Sequence, residues 1–157
     1  MRADAVLSPC RRYRFALWRR WDNGPRVLFV LLNPSTADES TDDPTVRRCI
    51  GFARSWGFGS VAIGNLFAFR SRSPATLASC LDPVGPGNDN WLTRLRDESS
   101  LTVAAWGNHG RLLGRGAAVR AMFPGSHILG LTALGEPRHP LYVRADVSPR
   151  PWLTATD

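Results

Sequence analysis

Short apolar runs between polar loops predict a series of buried strands in this chain. The continuous run from Val27 to Leu32 follows the turn signal Asn23-Gly24 and stops at Asn33-Pro34, which is typical of a strand buried on both faces. Apolar and polar residues alternate from Tyr13 to Leu17, so an earlier strand is predicted there, and the Asn-Gly turn favours an antiparallel hairpin between the two. Further strands are predicted at residues 60–67, 101–106 and 127–131.

Helical spacing follows the first buried strand. Asp43-Pro44 supplies an aspartate N-cap and a proline at the first helical position, and Gly57 is a suitable end signal. Between them, apolar residues recur on one helical face, at Val46, Cys49, Ile50, Ala53 and Trp56. Further helices are predicted after Asn88 and from His109 to Phe123.

The alternation of strands and helices, at intervals of roughly 30–40 residues, predicts βαβ units. We therefore expect an α/β fold: a three-layer α/β/α sandwich with a mostly parallel central sheet and an N-terminal antiparallel hairpin. A chain of 157 residues suits one domain, and we expect residues 1–157 to form a single unit.

The charge of the chain indicates an anionic partner. All 20 basic residues are arginine, against 13 acidic residues, which gives a net charge of +7. Biased codon usage explains the absence of lysine but not the excess of positive charge, and such an excess suits DNA or a nucleotide. Because the chain has no lysine, catalysis through a side-chain Schiff base and a P-loop phosphate site are both excluded.

Other compositional features narrow the classes of protein further. Three cysteines without Cys-x-x-Cys spacing and three histidines without ligand spacing predict neither a metal site nor a cofactor. The acidic residues between Asp38 and Asp43 suit Mg²⁺, but Asp43 is already expected to cap a helix. No run approaches ~18 apolar residues and no signal peptide is recognisable, so we expect a cytoplasmic protein that does not interact with a membrane. A monomer is expected.

Polar residues lie at the ends of two predicted strands and in the chain that follows the last one. Asn33-Pro34-Ser35-Thr36 ends one strand, Asn65 ends the next, and Arg138-His139-Pro140 lies downstream of the last. Ligands of open α/β sheets bind at the carboxyl ends of strands, and a buried asparagine needs a hydrogen-bonding partner. These residues therefore predict a shared pocket, although one such asparagine alone is easily structural.

The same residues resemble the uracil-DNA glycosylase superfamily. Leu31-Leu32-Asn33-Pro34-Ser35 is similar to the Gly-Ile-Asn-Pro-Gly motif of the mismatch-specific thymine/uracil branch, and His139-Pro140 resembles its His-Pro-Ser loop. Leu31, Ser35 and Leu141 depart from that pattern. Nearly the whole chain also resembles a bacterial and phage family of unknown function, whose motifs appear here as Leu32-Asn33-Pro34-Ser35-Thr36-Ala37-Asp38, Asp43-Pro44-Thr45, Asn65-Leu66-Phe67 and Arg138-His139-Pro140-Leu141-Tyr142.

The glycosylase resemblance implies a uracil-DNA glycosylase-like fold and hydrolysis of the N-glycosidic bond of a damaged or modified base in DNA. Asn33 would orient the attacking water, with Asp38 as a second general base, and His139 would stabilise the departing base, with His109 as a rival. Base-binding candidates are Asn65, Phe67, Ser35 and Trp106, and both aromatic residues equally suit the core. DNA-binding candidates are Arg70, Arg72, Arg138, Leu141 and Tyr142.

Two other classes of function stay open on this sequence. The same pocket suits a non-catalytic module that binds a modified base or nucleotide, because a fold does not fix a function. It also suits an enzyme that acts on free nucleosides or nucleotides. Under the leading hypothesis the enzyme is monofunctional, since no lysine is present to cleave the strand.

Overall fold

The computed structural model describes residues 1–153. Within them the chain forms seven strands, four α-helices and two 3₁₀ segments. The strands are β1 (Arg2–Leu7), β2 (Arg14–Arg20), β3 (Arg26–Leu31), β4 (Ser60–Asn65), β5 (Leu101–Ala104), β6 (His127–Ile128) and β7 (Arg150–Pro151). The helices are α1 (Pro44–Ser55), α2 (Pro74–Ser79), α3 (Asn88–Asp97) and α4 (Arg115–Met122), and the 3₁₀ segments are Asn108–Gly114 and Pro140–Tyr142.

The strands form one mixed sheet in the order β1-β2-β4-β3-β5-β6-β7. The four central strands, from β4 to β6, are parallel, whereas β2 joins β4 antiparallel and β7 joins β6 antiparallel. The α/β class is confirmed, but a mostly parallel sheet is not, because antiparallel pairs occupy both edges.

The N-terminal hairpin differs from the predicted one. β2 pairs with β1, Ala5 opposite Leu17, and with β4, Leu17 opposite Ile63, and it does not pair with β3. The prediction of a hairpin between residues 13–17 and 27–32 is therefore wrong. β1 is an edge strand whose residues are exposed or half-buried, so it carries no long apolar run from which a strand could be predicted.

Helices cover both faces of the sheet. Val27, Phe29 and Leu31 of β3 point to the face covered by α1, and Leu28 and Val30 point to the face covered by α3 and α4. This alternation explains the unbroken apolar run, since both faces of the strand are buried. Asp43 caps α1, its Oδ1 accepting a hydrogen bond from the Val46 amide at 2.9 Å, as the sequence predicts.

The predicted helix from His109 to Phe123 is divided. A 3₁₀ segment runs to Gly114, and only Arg115–Met122 is α-helical. Leu113 and Gly114 both have positive φ, at 55° and 65°, so the regular helix cannot pass through them. Gly110 packs so closely on Trp106 that an added Cβ would lie 2.0 Å from its ring, so packing rather than propensity fixes this segment.

The order of the strands creates a crevice beside β3. From β3 the chain passes through α1 to β4 on one side, and it later returns through α3 to β5 on the other side. Such a reversal separates the loops at the carboxyl ends of the two flanking strands and is where ligands bind in open α/β sheets. No helix among residues 1–153 is long and apolar enough to cross a membrane.

Candidate functional site

A cleft of about 480 Å³ opens at this reversal point. Its walls are the loop after β3, the start of α1, the loop after β5 and the segment around His139. Its size lies within the range of small-molecule sites. The sequence-based expectation of a pocket at the strand ends therefore matches a real concavity in the fold.

Asn33 lies just after the carboxyl end of β3 and lines the cleft. Its Nδ2 donates to the backbone oxygens of Ser71, at 2.7 Å, and Pro34, at 3.1 Å. Carbonyl oxygens only accept, so these two contacts fix the orientation of the amide and place its nitrogen. Within residues 1–153 nothing donates to Asn33 Oδ1, which is therefore left as an acceptor.

His139 also lines the cleft and is held in one tautomer. Its Nδ1 accepts a hydrogen bond from the Leu141 amide at 3.2 Å, so the neutral ring carries its proton on Nε2. Burial lowers the pKa of His139, and the carboxylate of Asp43 opposes that shift. The ring thus favours the neutral form, with Nε2–H as its remaining donor.

The loop that carries His139 is tied to two elements of the fold. Arg48 of α1 donates to the backbone oxygens of Pro140 and Val143. The Gly107 amide, just after β5, donates to the Pro137 oxygen at 2.8 Å. Gly107 has φ of 76° there, a conformation that glycine adopts without strain. Arg48 therefore has a structural task beside the cleft.

Asp43 is a carboxylate of the cleft as well as a helix cap. Its side chain is 9% exposed and lines the cavity beside Thr45. Because Oδ1 serves the cap, and no described residue donates to Oδ2, the second oxygen is left as an acceptor. Sequence reasoning assigned Asp43 only the cap, although the acidic side chain at the start of the helix was a signal for both roles.

Arg14 is a buried cation in the lining of the cleft, and sequence reasoning missed it. It is 2% exposed, and its guanidinium donates to the Ala37 oxygen at 3.0 Å and to Asn65 Oδ1 at 3.3 Å. No carboxylate of the described residues lies within ion-pair distance, and Nε has no hydrogen-bonding partner there. Burial lowers the pKa of Arg14 to about 10, and the negative charge of Asp43 opposes that shift.

Asn65 lies behind Arg14 and does not line the cleft. It is 1% exposed; its Oδ1 accepts from Arg14, and its Nδ2 has no partner among the described residues. Phe67, two residues further, is fully buried in the core on the α3 face. Neither side chain lines the cleft.

Three other predicted residues also lie outside the cleft. Asp38 accepts from the amides of Ser40 and Thr41 through Oδ1 and pairs with Arg11 through Oδ2 at 3.6 Å. These loop hydrogen bonds, the Ser40 amide above all, lower the pKa of Asp38. Arg70 donates to three backbone oxygens in the neighbouring loops, and Leu141 is exposed beside the cleft.

The other predicted residues do line the cleft, at Ser35, Trp106, Arg72, Arg138 and Tyr142. Trp106 is 3% exposed and its Nε1 donates to Glu136 Oε2 at 3.0 Å, so its ring contributes one face of the wall rather than a free platform. Tyr142 is 76% exposed at the mouth. His109, the rival histidine, also borders the cavity, on the loop after β5.

The cleft brings opposite chemical capacities together. It has acceptors in Asn33 Oδ1 and Asp43, a neutral N–H donor in His139, and a buried positive charge in Arg14. This arrangement can position a water molecule and hydrogen-bond a polar ligand. No group of three or more His, Cys, Asp or Glu side chains within residues 1–153 is arranged to hold a metal ion.

The fold and the cleft together define an α/β protein with a polar cleft at the reversal point of a mixed sheet. Residues 14–141 match the family described as a protein of unknown function, DUF1643, and the chain belongs to that family. The match runs from the start of β2 to the loop that carries His139, and it includes every residue that lines the cleft except Tyr142. No curated protein and no solved structure matches the chain.

Proposed function

We propose that the protein is a DNA glycosylase-like hydrolase that releases a damaged or modified base by cleaving its N-glycosidic bond. The observation that carries the proposal is that Asn33 and His139 line the same cleft. Asn33 offers an acceptor whose amide is fixed by two carbonyls, and His139 offers a donor whose tautomer is fixed by the Leu141 amide. The resemblance of both motifs to uracil-DNA glycosylases supports the same reading.

The chemistry divides between the two residues. Asn33 Oδ1 would hold a water molecule, which attacks the sugar carbon as the bond to the base breaks and the base departs with the bonding electron pair. Positive charge develops on the sugar, and the nearby Asp43 carboxylate favours that charge and accepts the proton of the water. His139 Nε2–H would donate to the oxygen of the departing base, where negative charge develops.

The position of Arg14 adds to this division of charge. A buried guanidinium with no ion-pair partner is an unfavourable charge in the free protein. Negative charge that develops in the cleft would lower that cost, so Arg14 favours the transition state over the empty site. Asn65 then acts by holding Arg14, through its Oδ1, rather than by reading the base.

The test is base release from oligonucleotides that carry uracil, a thymine mismatch, hypoxanthine or a bulky modified pyrimidine. Abasic sites are detected by alkaline cleavage. We expect release on at least one substrate and a loss of ~100-fold or more in Asn33→Ala. Asn90→Ala is the matched control, because Asn90 is an exposed asparagine on α3, away from the cleft. No release on any substrate, or equal release by Asn33→Ala, contradicts the proposal.

The second candidate is hydrolysis of a free nucleoside or nucleotide. A cavity of about 480 Å³ is of the size that encloses a small molecule, and this observation favours a monomeric substrate. Chromatography of nucleosides and nucleoside monophosphates after incubation tests it. Turnover of monomers with none on oligonucleotides would replace the first proposal with this one. Saturable binding without turnover on either would indicate a binding module.

A further inference from the structure

An arginine-rich groove adjoins the cleft. The groove has a volume of about 420 Å³, and its lining includes Arg11, Arg12, Phe69, Arg70 and Arg72. It shares Ser35 and Arg72 with the cleft, so the two concavities are neighbours at that edge. Four of the chain's 20 arginines meet here although they come from two distant segments of the sequence.

The floor of the groove is built rigidly from those segments. Arg70 donates through its side chain to the backbone oxygens of Ser35, Thr36 and Arg11, and its amide donates to the Arg12 oxygen at 2.8 Å. The side-chain contacts hold the guanidinium of Arg70 in place and leave its positive charge in the groove. Arg11 pairs with Asp38 and Glu39, which neutralise it.

Arg12 and Arg72 are the available donors of the groove. Both side chains are exposed, and neither forms a hydrogen bond or ion pair with another described residue. Arg11, just before Arg12, has φ of 59°, a left-handed conformation that costs energy in any residue but glycine. Backbone strain of this kind persists where the surrounding contacts over-determine it, as the Arg70 hydrogen bonds to this turn do here.

An aromatic ring accompanies the charges. Phe69 is half-buried in the groove, and its ring is held edge-on against Tyr13 with centroids 5.7 Å apart. Arginine side chains that follow a backbone, beside an aromatic face on which a base stacks, are the combination that binds single strands without regard to sequence. A paired base in a duplex is not free to stack on such a ring.

We propose that this groove binds the phosphate backbone of a single-stranded DNA segment that leads into the cleft. Arg12 and Arg72 contact successive phosphates, and the positive charge of Arg70 attracts the strand. Phe69 stacks on a base beside the reacting nucleotide. The inference rests on the proposed function for what happens in the cleft, but strand binding is measured without base release, so either claim can fail alone.

The experiment measures the affinity of the full chain for a labelled single-stranded DNA of about 16 nucleotides at several salt concentrations, by fluorescence anisotropy. Each phosphate contact contributes ~0.7 to the slope of log affinity against log salt. The double variant Arg12→Gln, Arg72→Gln should therefore reduce the slope by ~1.4 and weaken binding. Phe69→Leu should weaken binding with the slope unchanged, because stacking releases no counterions.

The matched control is the double variant Arg2→Gln, Arg20→Gln. Both arginines are exposed, and they lie opposite each other in the pairing of β1 with β2. Arg20 also lies opposite Ser60, the first residue of β4, so the pair is at the end of the sheet away from the cleft. The control removes the same net charge and should keep the wild-type slope. Equal losses in the two double variants would overturn the proposal, as would thymidine monophosphate binding as tightly as the oligonucleotide. A duplex that binds as tightly as the single strand would overturn the strand preference.

Discussion

Replacing Asp43 separates its two tasks, because asparagine keeps the helix cap and removes the charge. In Asp43→Ala, α1 loses the hydrogen bond to the Val46 amide and the carboxylate at its N-terminus. A lost cap costs ~1 kcal/mol and the lost charge–dipole interaction ~0.5 kcal/mol. For 157 residues, an unfolding entropy of about 0.33 kcal/mol per degree converts ~1.5 kcal/mol into a Tm lower by ~5 °C.

Asp43→Asn is expected to behave differently in the two assays. Asparagine is as good a cap as aspartate, so only the charge–dipole contribution is lost, and Tm should fall by ~1–3 °C. Base release should fall by ~100-fold or more in both variants, because both lack the carboxylate. Calorimetry and the alkaline cleavage assay measure the two effects. Full release by Asp43→Asn would refute the role of the charge, and equal Tm losses in the two variants would refute the cap argument.

Four further predictions concern pH and packing. The lowered pKa of His139 means that the unfolded chain binds its proton more readily, so stability should fall as pH decreases below 6.5; the slope of Tm against pH should diminish in His139→Gln. Base release should fall over the same acidic range, since a protonated Nδ1 no longer accepts from the Leu141 amide. Gly110→Ala should lower the free energy of unfolding by ~1–3 kcal/mol in a denaturant titration, because its Cβ would meet the Trp106 ring. Phe67→Ala should cost ~3–5 kcal/mol in the same titration, whereas a surface position for this ring would leave stability nearly unchanged.

The sequence predicted the parts of the site that depend on local rules. Asn33 follows an unbroken apolar run, and the carboxyl end of a buried strand at a reversal point faces the crevice, so its placement follows from strand geometry. Asn65 satisfies the same local rule at the end of β4, yet it is covered by Arg14 and does not line the cleft. That covering depends on β2 pairing with β4, which nothing between residues 13 and 33 specified.

The antiparallel edge supplies support that only the folded chain reveals. β2 carries two buried arginines, and both donate to the loop between β3 and α1. Arg14 donates to the Ala37 oxygen, while Arg19 donates to the oxygens of Asp38 and Thr41 and pairs with Asp42 at 2.8 Å. Because this loop leads from Asn33 to Asp43, the two arginines hold the main chain between the acceptor and the carboxylate of the cleft. An arginine within an amphipathic strand pattern signals exposure, so such buried cations are recognisable only when their carbonyl partners, some twenty residues away, are placed in space.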